Sequence, residues 1–182
     1  LKFHSYYYGP QERFFSSLKL TRFDYYFDKS EFILGYQKIK ESRHKWYLED
    51  FLDYLNNPDN PDNYDAPTHQ YESVNVYSFN TNSRKGNFYF GSETIYNDVD
   101  SKTTPNDENI WGIGDTRYPP DGSSLFSTAY YVNILKRISH KLQLEGGVRY
   151  TFSHVKGSFP DSMHRPLADV EGLELSSKNN IL

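Results

Sequence analysis

A regular alternation of apolar and polar residues, beginning at residue 142, restricts the fold of this chain more than any other feature. Every second residue there is apolar or glycine, namely Leu142, Leu144, Gly146, Val148, Tyr150 and Phe152. Successive side chains of a strand point to opposite faces, so this segment is predicted to be a strand with one apolar and one polar face. The alternation leaves open whether the apolar face meets lipid or a second protein layer.

Three short turns each join two segments of this kind, at 24–30, 82–86 and 139–141. The paired segments are 13–23 with 31–43, 71–81 with 87–99, and 127–138 with 142–154. Two alternating segments joined by a short polar or glycine-containing turn are typical of a β-hairpin. We therefore predict about six strands arranged as three antiparallel hairpins.

The connections between the hairpins are much longer than the turns within them. Loops are predicted at 44–70 and 102–124, and residues 159–182 are also interpreted as a loop segment, whereas connections in compact domains have a median of about 4–6 residues. A strand of eleven residues tilted by about 45° rises about 26 Å, close to the apolar thickness of an outer membrane. These features predict an all-β fold, a segment of an antiparallel up-and-down transmembrane β-barrel with long extracellular loops.

The first long loop contains one helical pattern and one acidic run. Four apolar residues at helical spacing, Leu48, Phe51, Leu52 and Leu55, predict a short loop helix near 46–55. The run 56–65 that follows carries Asp59, Asp62 and Asp65, whose carboxylates are ligands of the type that calcium takes. It does not match an EF-hand, and an ordinary Pro/Asn/Asp surface loop explains the same residues, so both interpretations stay open.

The composition excludes several classes of function. Aromatic residues make up 18% of the chain, with 17 Tyr and 13 Phe, although only 36% of residues are hydrophobic. The net charge of −4 argues against a nucleic-acid partner, and the lack of cysteine removes thiol catalysis and thiolate metal sites. No nucleophile, phosphate-loop or metal-ligand motif occurs. We expect no enzymatic activity, no catalytic residues, no cofactor and no metal site.

Three stretches resemble the middle barrel strands of TonB-dependent outer-membrane receptors. They are "GYQKIKESRH", "VNVYSFNTNSRKGNFYFGSETIYNDVDSK" and "DTRYPPDGSSLFSTAYYVNILKRISHKLQLEGGVRYTFS". The likeness covers about residues 7–158, and the doubled Pro119–Pro120 departs from the single proline of the family pattern. It implies a barrel wall at 1–158 in the outer membrane of a Gram-negative bacterium, surrounded by outer-membrane lipids. It also implies that this chain is a truncated piece of a 22-stranded barrel. The plug domain, through which the TonB complex would act, is not found in it.

Candidate site residues come from the resemblance, which concerns a pair of charged residues, and from the side-chain chemistry of residues 111–118. Glu93 and Arg149 are expected to face the plug, with a cross-strand ion pair on a solvated face as the alternative. Trp111, Arg117 and Tyr118 offer aromatic stacking and charge-assisted hydrogen bonds to a ligand, although the prolines beside them also explain a simple turn back into the next strand.

The function implied is active import of a scarce substrate, a ferric siderophore or haem. The expectation of an iron-containing substrate rests on the resemblance and not on any residue of the sequence. Two other functions stay open. One is a barrel with a structural or complex-forming role that docks surface lipoproteins. The other is a soluble β-sandwich that binds carbohydrate through exposed aromatic residues.

Overall fold

A computed structural model of the chain describes residues 2–60, 65–105, 116–119, 122–158 and 174–181. These residues form one antiparallel sheet and one helix. The elements in chain order are β1 (Phe3–Tyr8), β2 (Glu12–Phe23), β3 (Lys29–Tyr47), α1 (Leu48–Asn56), β4 (Thr68–Lys85), β5 (Phe88–Pro105), β6 (Ser123–Arg137), β7 (Gln143–Ser158) and β8 (Glu174–Ile181). The all-β prediction is therefore confirmed.

Each strand pairs with its neighbour in the chain, except at the first edge, where β1 and β2 both pair with β3. The pairs Tyr8↔Arg43 and Glu12↔Lys40 show that β1 and β2 run end to end along the same partner. One extra residue at Gly9–Pro10 separates them as a bulge, and His44 Nε2 lies 2.8 Å from the carbonyl oxygen of Gly9. The sheet therefore has seven positions. Its two edges do not pair with each other, so the described sheet is not closed.

The three predicted hairpins are confirmed as β2–β3, β4–β5 and β6–β7, but several boundaries differ. The middle turn lies at Gly86 and not at 82–86, since β4 continues to Lys85 and Gly86 takes the left-handed φ of 58° that a tight turn requires. The predicted six strands become eight. Extended pairing also shortens both predicted loops, because β3 continues to Tyr47, β4 begins at Thr68, and β5 and β6 extend into 102–124.

Two strands were missed by the sequence prediction. β1 has weak alternation, and its tyrosine run gives no clear face. Residues 159–182 were predicted to be a loop, but Glu174–Ile181 forms β8 and pairs with β7 from Thr151↔Ile181 to Ser158↔Glu174. The sequence of β8 is polar, so its strand character comes from hydrogen bonding to β7 and not from a hydrophobic pattern.

The strand register brings every predicted apolar set onto one face of the sheet, which we call the apolar face. Directly paired residues share a face, and the pairs Leu18↔Leu34, Phe90↔Val132 and Val132↔Val148 lie there. Further members of the apolar face are Leu20, Phe32, Tyr36, Tyr77, Phe79, Tyr96, Tyr130 and Tyr150. The opposite side, the polar face, includes Lys19, Glu31, Asn80, Asn82, Glu93, Asn133, Arg149 and Thr151.

Nothing in the described residues covers the apolar face. Leu18 is 67% exposed, Leu34 is 52% exposed and Val148 is 72% exposed. Within the described ranges, Ala129 is the only buried hydrophobic residue. The residues whose side chains the structure describes therefore do not form a buried core between two layers.

The predicted loop helix is present as α1 and packs against β1 and β3 through aromatic rings. Phe51 stacks on His4 with ring centroids 3.5 Å apart, and Trp46 contacts Phe51 at 5.0 Å. Leu52 and Leu55 remain about half exposed, so only part of the predicted apolar stripe is buried. Nowhere in the described ranges does a helix have the length and hydropathy needed to cross a bilayer.

Candidate functional site

An aromatic row crosses the apolar face on its loop side. Pairing aligns Tyr36, Tyr77, Tyr96 and Phe126 across four neighbouring strands, and the rings of Tyr36 and Tyr77 are 5.2 Å apart. The next row towards the loops on the same face is polar from β3 to β7, with Lys38, Asn75, Asp98, Ser124 and Lys156, and Phe14 of β2 occupies it at the edge of the sheet. The change from apolar to charged residues therefore happens within one row, at a line of amphipathic rings.

The apolar band runs diagonally across the sheet. On β3 it reaches Phe32 in the direction of the short turns, and Tyr150 of β7 lies in the same row as Phe32. On β7 the band continues a further six residues, to Leu144. Strands tilted to a membrane normal carry a layer of constant depth diagonally in this way, because each strand is shifted along its neighbour.

Glu93 and Arg149, the predicted plug-facing pair, lie on the polar face and bind each other. Arg149 Nη2 donates to Glu93 Oε2 at 2.6 Å, across the intervening strand β6. Both side chains are about half exposed. This is the cross-strand ion pair given above as the alternative, and it leaves both groups accessible from the polar side.

The glycine next to this pair accommodates another side chain of the sheet. A Cβ atom at Gly91 would lie 1.9 Å from the carbonyl oxygen of Thr81 and 2.7 Å from the hydroxyl of Tyr131. The Tyr131 ring crosses over Gly91, and its hydroxyl hydrogen-bonds Asn82 on β4. The space that the missing side chain of Gly91 leaves is therefore filled by Tyr131 of the same sheet.

Arg117 lies at the loop end of the polar face, between two glutamates of the sheet. Its Nη1 atom is 4.0 Å from Glu41 Oε2, and its Nε atom is 4.0 Å from Glu72 Oε1. The Glu72 side chain is only 5% exposed, and its Oε1 atom has no hydrogen-bond partner among the described residues, so Arg117 offsets this nearly buried charge only through a long ion-pair contact. The guanidinium predicted to contact a ligand is therefore positioned to attach the segment 116–119 to the wall.

Further polar side chains surround this attachment point. Arg43 Nε donates to Gln70 Oε1 at 2.7 Å, and the hydroxyls of Tyr6 and Tyr8 are 2.7 Å apart. The hydrogen bond with Tyr8 lowers the pKa of the Tyr6 hydroxyl, and Arg43 lowers it further. The loop end of the polar face is consequently rich in hydrogen-bonding groups held by one another.

Beside Arg117, the segment 116–119 roofs a cavity of about 660 Å³ on the same face. Tyr118 and Pro119 form its outer side. Its wall is largely aliphatic, with Val74, Val99, Leu125 and Val155 from four strands, and Asn97, Ser123 and Gly157 complete that side of it. The volume is within the range of small-molecule sites, which is about 300–1,000 Å³.

Two residues that line this cavity each carry a buried oxygen without a hydrogen-bond partner among the described residues. They are Asn97 Oδ1 and Ser123 Oγ. A buried acceptor without a donor costs about 1–3 kcal/mol, and neither oxygen is accessible from the cavity in this arrangement. The cavity combines an apolar wall with a few polar groups, as ligand sites do.

The residues predicted to bind a ligand or a metal do not all lie within the described part of the chain. Tyr118 lines the cavity and Arg117 lies beside it, whereas Trp111 lies outside the described residues. Asp62 also lies outside them, and the described ranges contain no cluster of three or more side chains able to hold a metal ion. Both interpretations of the run 56–65, a calcium site or an ordinary surface loop, therefore stay open.

Sequence reasoning missed the roles of Glu72, Asn97 and Ser123. Glu72 lies in the alternating segment 71–81, and its place on the polar face was readable from that pattern. The proximity of Glu72 to Arg117 was not readable from the sequence, because these residues are 45 positions apart and meet only when β4, β5 and β6 pair.

Comparisons of the chain with protein-family models, with curated proteins and with solved structures find no match.

Proposed function

We propose that this chain forms part of the wall of an outer-membrane β-barrel receptor that imports a scarce substrate in a TonB-dependent manner. The single observation that carries the proposal is the uncovered apolar face, bounded by the aromatic row and then by charged residues. Membrane barrels present this order of residues to lipid, with an apolar band between aromatic girdles.

The free-energy cost of exposing the apolar face depends on the medium that this face contacts. Burying one large apolar side chain stabilises a protein by about 1.5–3 kcal/mol, and the face exposes many of them together. Soluble monomers rarely expose contiguous apolar patches larger than a few hundred Å². A hydrocarbon environment removes that cost for every one of these residues at once.

The open edges favour the same reading. Within hydrocarbon, every backbone N–H and C=O group needs a partner, so a membrane sheet must be closed. The edges at β1–β2 and β8 would then pair with further strands of a complete barrel. In the rival β-sandwich, a second sheet would cover the apolar face, and the polar face would be the one in water.

The import function rests on the resemblance to TonB-dependent receptors, together with the cavity at the loop end of the polar face. In that family the polar side faces the barrel interior, so Glu93 and Arg149 would meet the plug, and the cavity would lie where substrate arrives. A ferric siderophore or haem is the substrate class that the resemblance implies. A complex-forming barrel that docks surface lipoproteins would use the same wall without uptake.

The lipid contact is tested by fluorescence. In a background with Trp46→Phe and Trp111→Phe, tryptophan is placed at Val148 on the apolar face or at Thr151 on the polar face of the same strand. The protein is reconstituted in phosphatidylcholine vesicles with brominated acyl chains. We expect strong quenching for Val148→Trp and weak quenching for Thr151→Trp. Equal quenching at both positions would refute the membrane orientation.

Import is tested separately in cells. Deletion of the encoding gene should reduce uptake of radioactive iron supplied as ferric siderophore or haem, and loss of the energising inner-membrane complex should reduce it equally. Unchanged uptake of both compounds, with normal insertion in the outer membrane, would leave a barrel without the iron-import role. Copurification of a stoichiometric surface lipoprotein would then support the complex-forming alternative.

A further inference from the structure

We propose that His44 and His69 bind a divalent transition-metal ion of the Zn²⁺, Ni²⁺ or Cu²⁺ class at the loop end of the sheet. The two residues lie directly opposite each other on β3 and β4, and their ring centroids are 4.7 Å apart. The Nδ1 atoms of the two rings face each other in direct contact. Imidazole nitrogen is a ligand that suits these ions, so the pair offers two metal ligands from neighbouring strands. Such a site is independent of the proposed import function.

The hydrogen bonds of His44 direct the lone pair of its Nδ1 atom towards the metal position. Its Nε2 atom lies 2.8 Å from the carbonyl oxygen of Gly9 and 3.1 Å from the hydroxyl of Ser42. Because a carbonyl oxygen only accepts, Nε2 carries the proton, and Nδ1 of the neutral ring presents its lone pair to His69. Histidines that ligate metals donate their second ring nitrogen in this way, which fixes the tautomer and the orientation of the ring.

Neighbouring aromatic rings hold His44 in this orientation. Tyr7 of β1 stacks on its ring with centroids 4.6 Å apart, and Tyr71 of β4 approaches it edge-on at 5.8 Å. His44 is 8% exposed, so its ring loses little freedom when a metal binds. The pair lies eight residues beyond Tyr36 of the aromatic row, outside the apolar band, and the partly exposed ring of His69 gives an ion access from water.

A proton shared between the two Nδ1 atoms is the competing explanation of their contact. A metal ion competes with this proton for the same two nitrogens. With Zn–N bonds of about 2.0–2.1 Å, a tetrahedral Zn²⁺ ion places its two nitrogen ligands about 3.3 Å apart. Rotation of the His69 ring provides that separation, since Gly9 fixes the ring of His44. The ion then joins β3 to β4 and, through the bond from His44 to Gly9, to the bulge between β1 and β2.

The experiment titrates zinc chloride into the protein in detergent micelles by calorimetry, with empty micelles as the blank. We expect saturable binding for which excess Mg²⁺ does not compete, because Mg²⁺ prefers oxygen ligands. His44→Gln and His69→Gln should each weaken this binding by more than about tenfold, since loss of even a hydrogen-bond partner of a metal ligand costs about 10–100-fold. The electron paramagnetic resonance spectrum of the protein loaded with Cu²⁺ should show two coordinated imidazole nitrogens, and one in each variant.

The control is His140→Gln, which removes an exposed histidine from the turn between β6 and β7 and should leave Zn²⁺ affinity and the Cu²⁺ spectrum unchanged. His69→Gln retains the bond of His44 to Gly9, so it tests the site even if circular dichroism shows that His44→Gln disturbs the fold. Absence of saturable Zn²⁺ binding would show that the pair only shares a proton and would overturn the inference. Binding that survives His69→Gln, or that is lost in His140→Gln, would also overturn it. Insertion in lipid is measured separately, so these results leave the barrel function standing.

Discussion

A lysine at Val148 tests whether the apolar face contacts lipid. Val148 is 72% exposed and lies opposite Val132, within an apolar stretch that runs from Leu142 to Phe152. Eleven residues at about 3.3 Å each, tilted by about 45°, rise about 26 Å, so both ends of this stretch reach the membrane surfaces and Val148 lies near the middle.

The expected magnitude depends on that depth. A lysine facing lipid costs about 2–4 kcal/mol at the midplane and about 0–1 kcal/mol near the surface. Val148→Lys should therefore lower the free energy of unfolding by about 3 kcal/mol. Leu142→Lys, beside the short turn that follows β6, should lower it by less than about 1 kcal/mol. In water, both exposed substitutions should stay within about 0.5 kcal/mol of the parent protein.

The measurement is urea unfolding in micelles or vesicles, followed by tryptophan fluorescence. With a slope of about 2 kcal/mol/M, a loss of 3 kcal/mol moves the midpoint down by about 1.5 M. Equal midpoints for Val148→Lys and Leu142→Lys would refute the assignment of this face to hydrocarbon. A rise in stability for Val148→Lys would also refute it, since a lysine that faces hydrocarbon near the midplane destabilises the folded protein.

Three further predictions concern the polar face and the helix. Gly91→Ala should destabilise the sheet by about 1–3 kcal/mol, because the added Cβ atom would clash with the backbone of β4 and with the Tyr131 ring. Gly146→Ala is the control and should be tolerated, because nothing lies near its Cβ position. Similar melting temperatures for the two variants would contradict this prediction. A double-mutant cycle of Glu93→Gln and Arg149→Met should give a coupling below about 1 kcal/mol that weakens with salt, because the pair is half exposed. A coupling of several kcal/mol would show that another chain buries the pair. Burial raises the pKa of Asp50, so its contribution to stability is greatest below the ordinary carboxyl pKa and is lost as pH rises through the raised value. Asp50→Asn should thus match the parent at acid pH and be the more stable near neutrality, as measured by thermal melting; the opposite pH dependence would contradict it.

The site was only partly readable from the sequence. Arg117 and Tyr118 were singled out for ligand binding, and the structure places Tyr118 in the cavity wall but turns Arg117 towards Glu41 and Glu72. Charge and aromaticity identify residues able to bind a ligand. They do not show whether such a residue is already paired with another group of the protein, because that pairing depends on which strands become neighbours.

The local pattern alone determined which side chains share a face within each strand. Alternation has a period of two residues in any extended chain, so Leu144 and Val148 were assigned to one side before any pairing was known. The turns followed for the same reason, since tight hairpins depend on a few adjacent residues. Only the tertiary structure decided the register between hairpins, the pairing of the polar strand β8, and the meeting of Arg117 with Glu72. These depend on hydrogen bonds between backbones far apart in sequence, which leave no periodic signal in either partner.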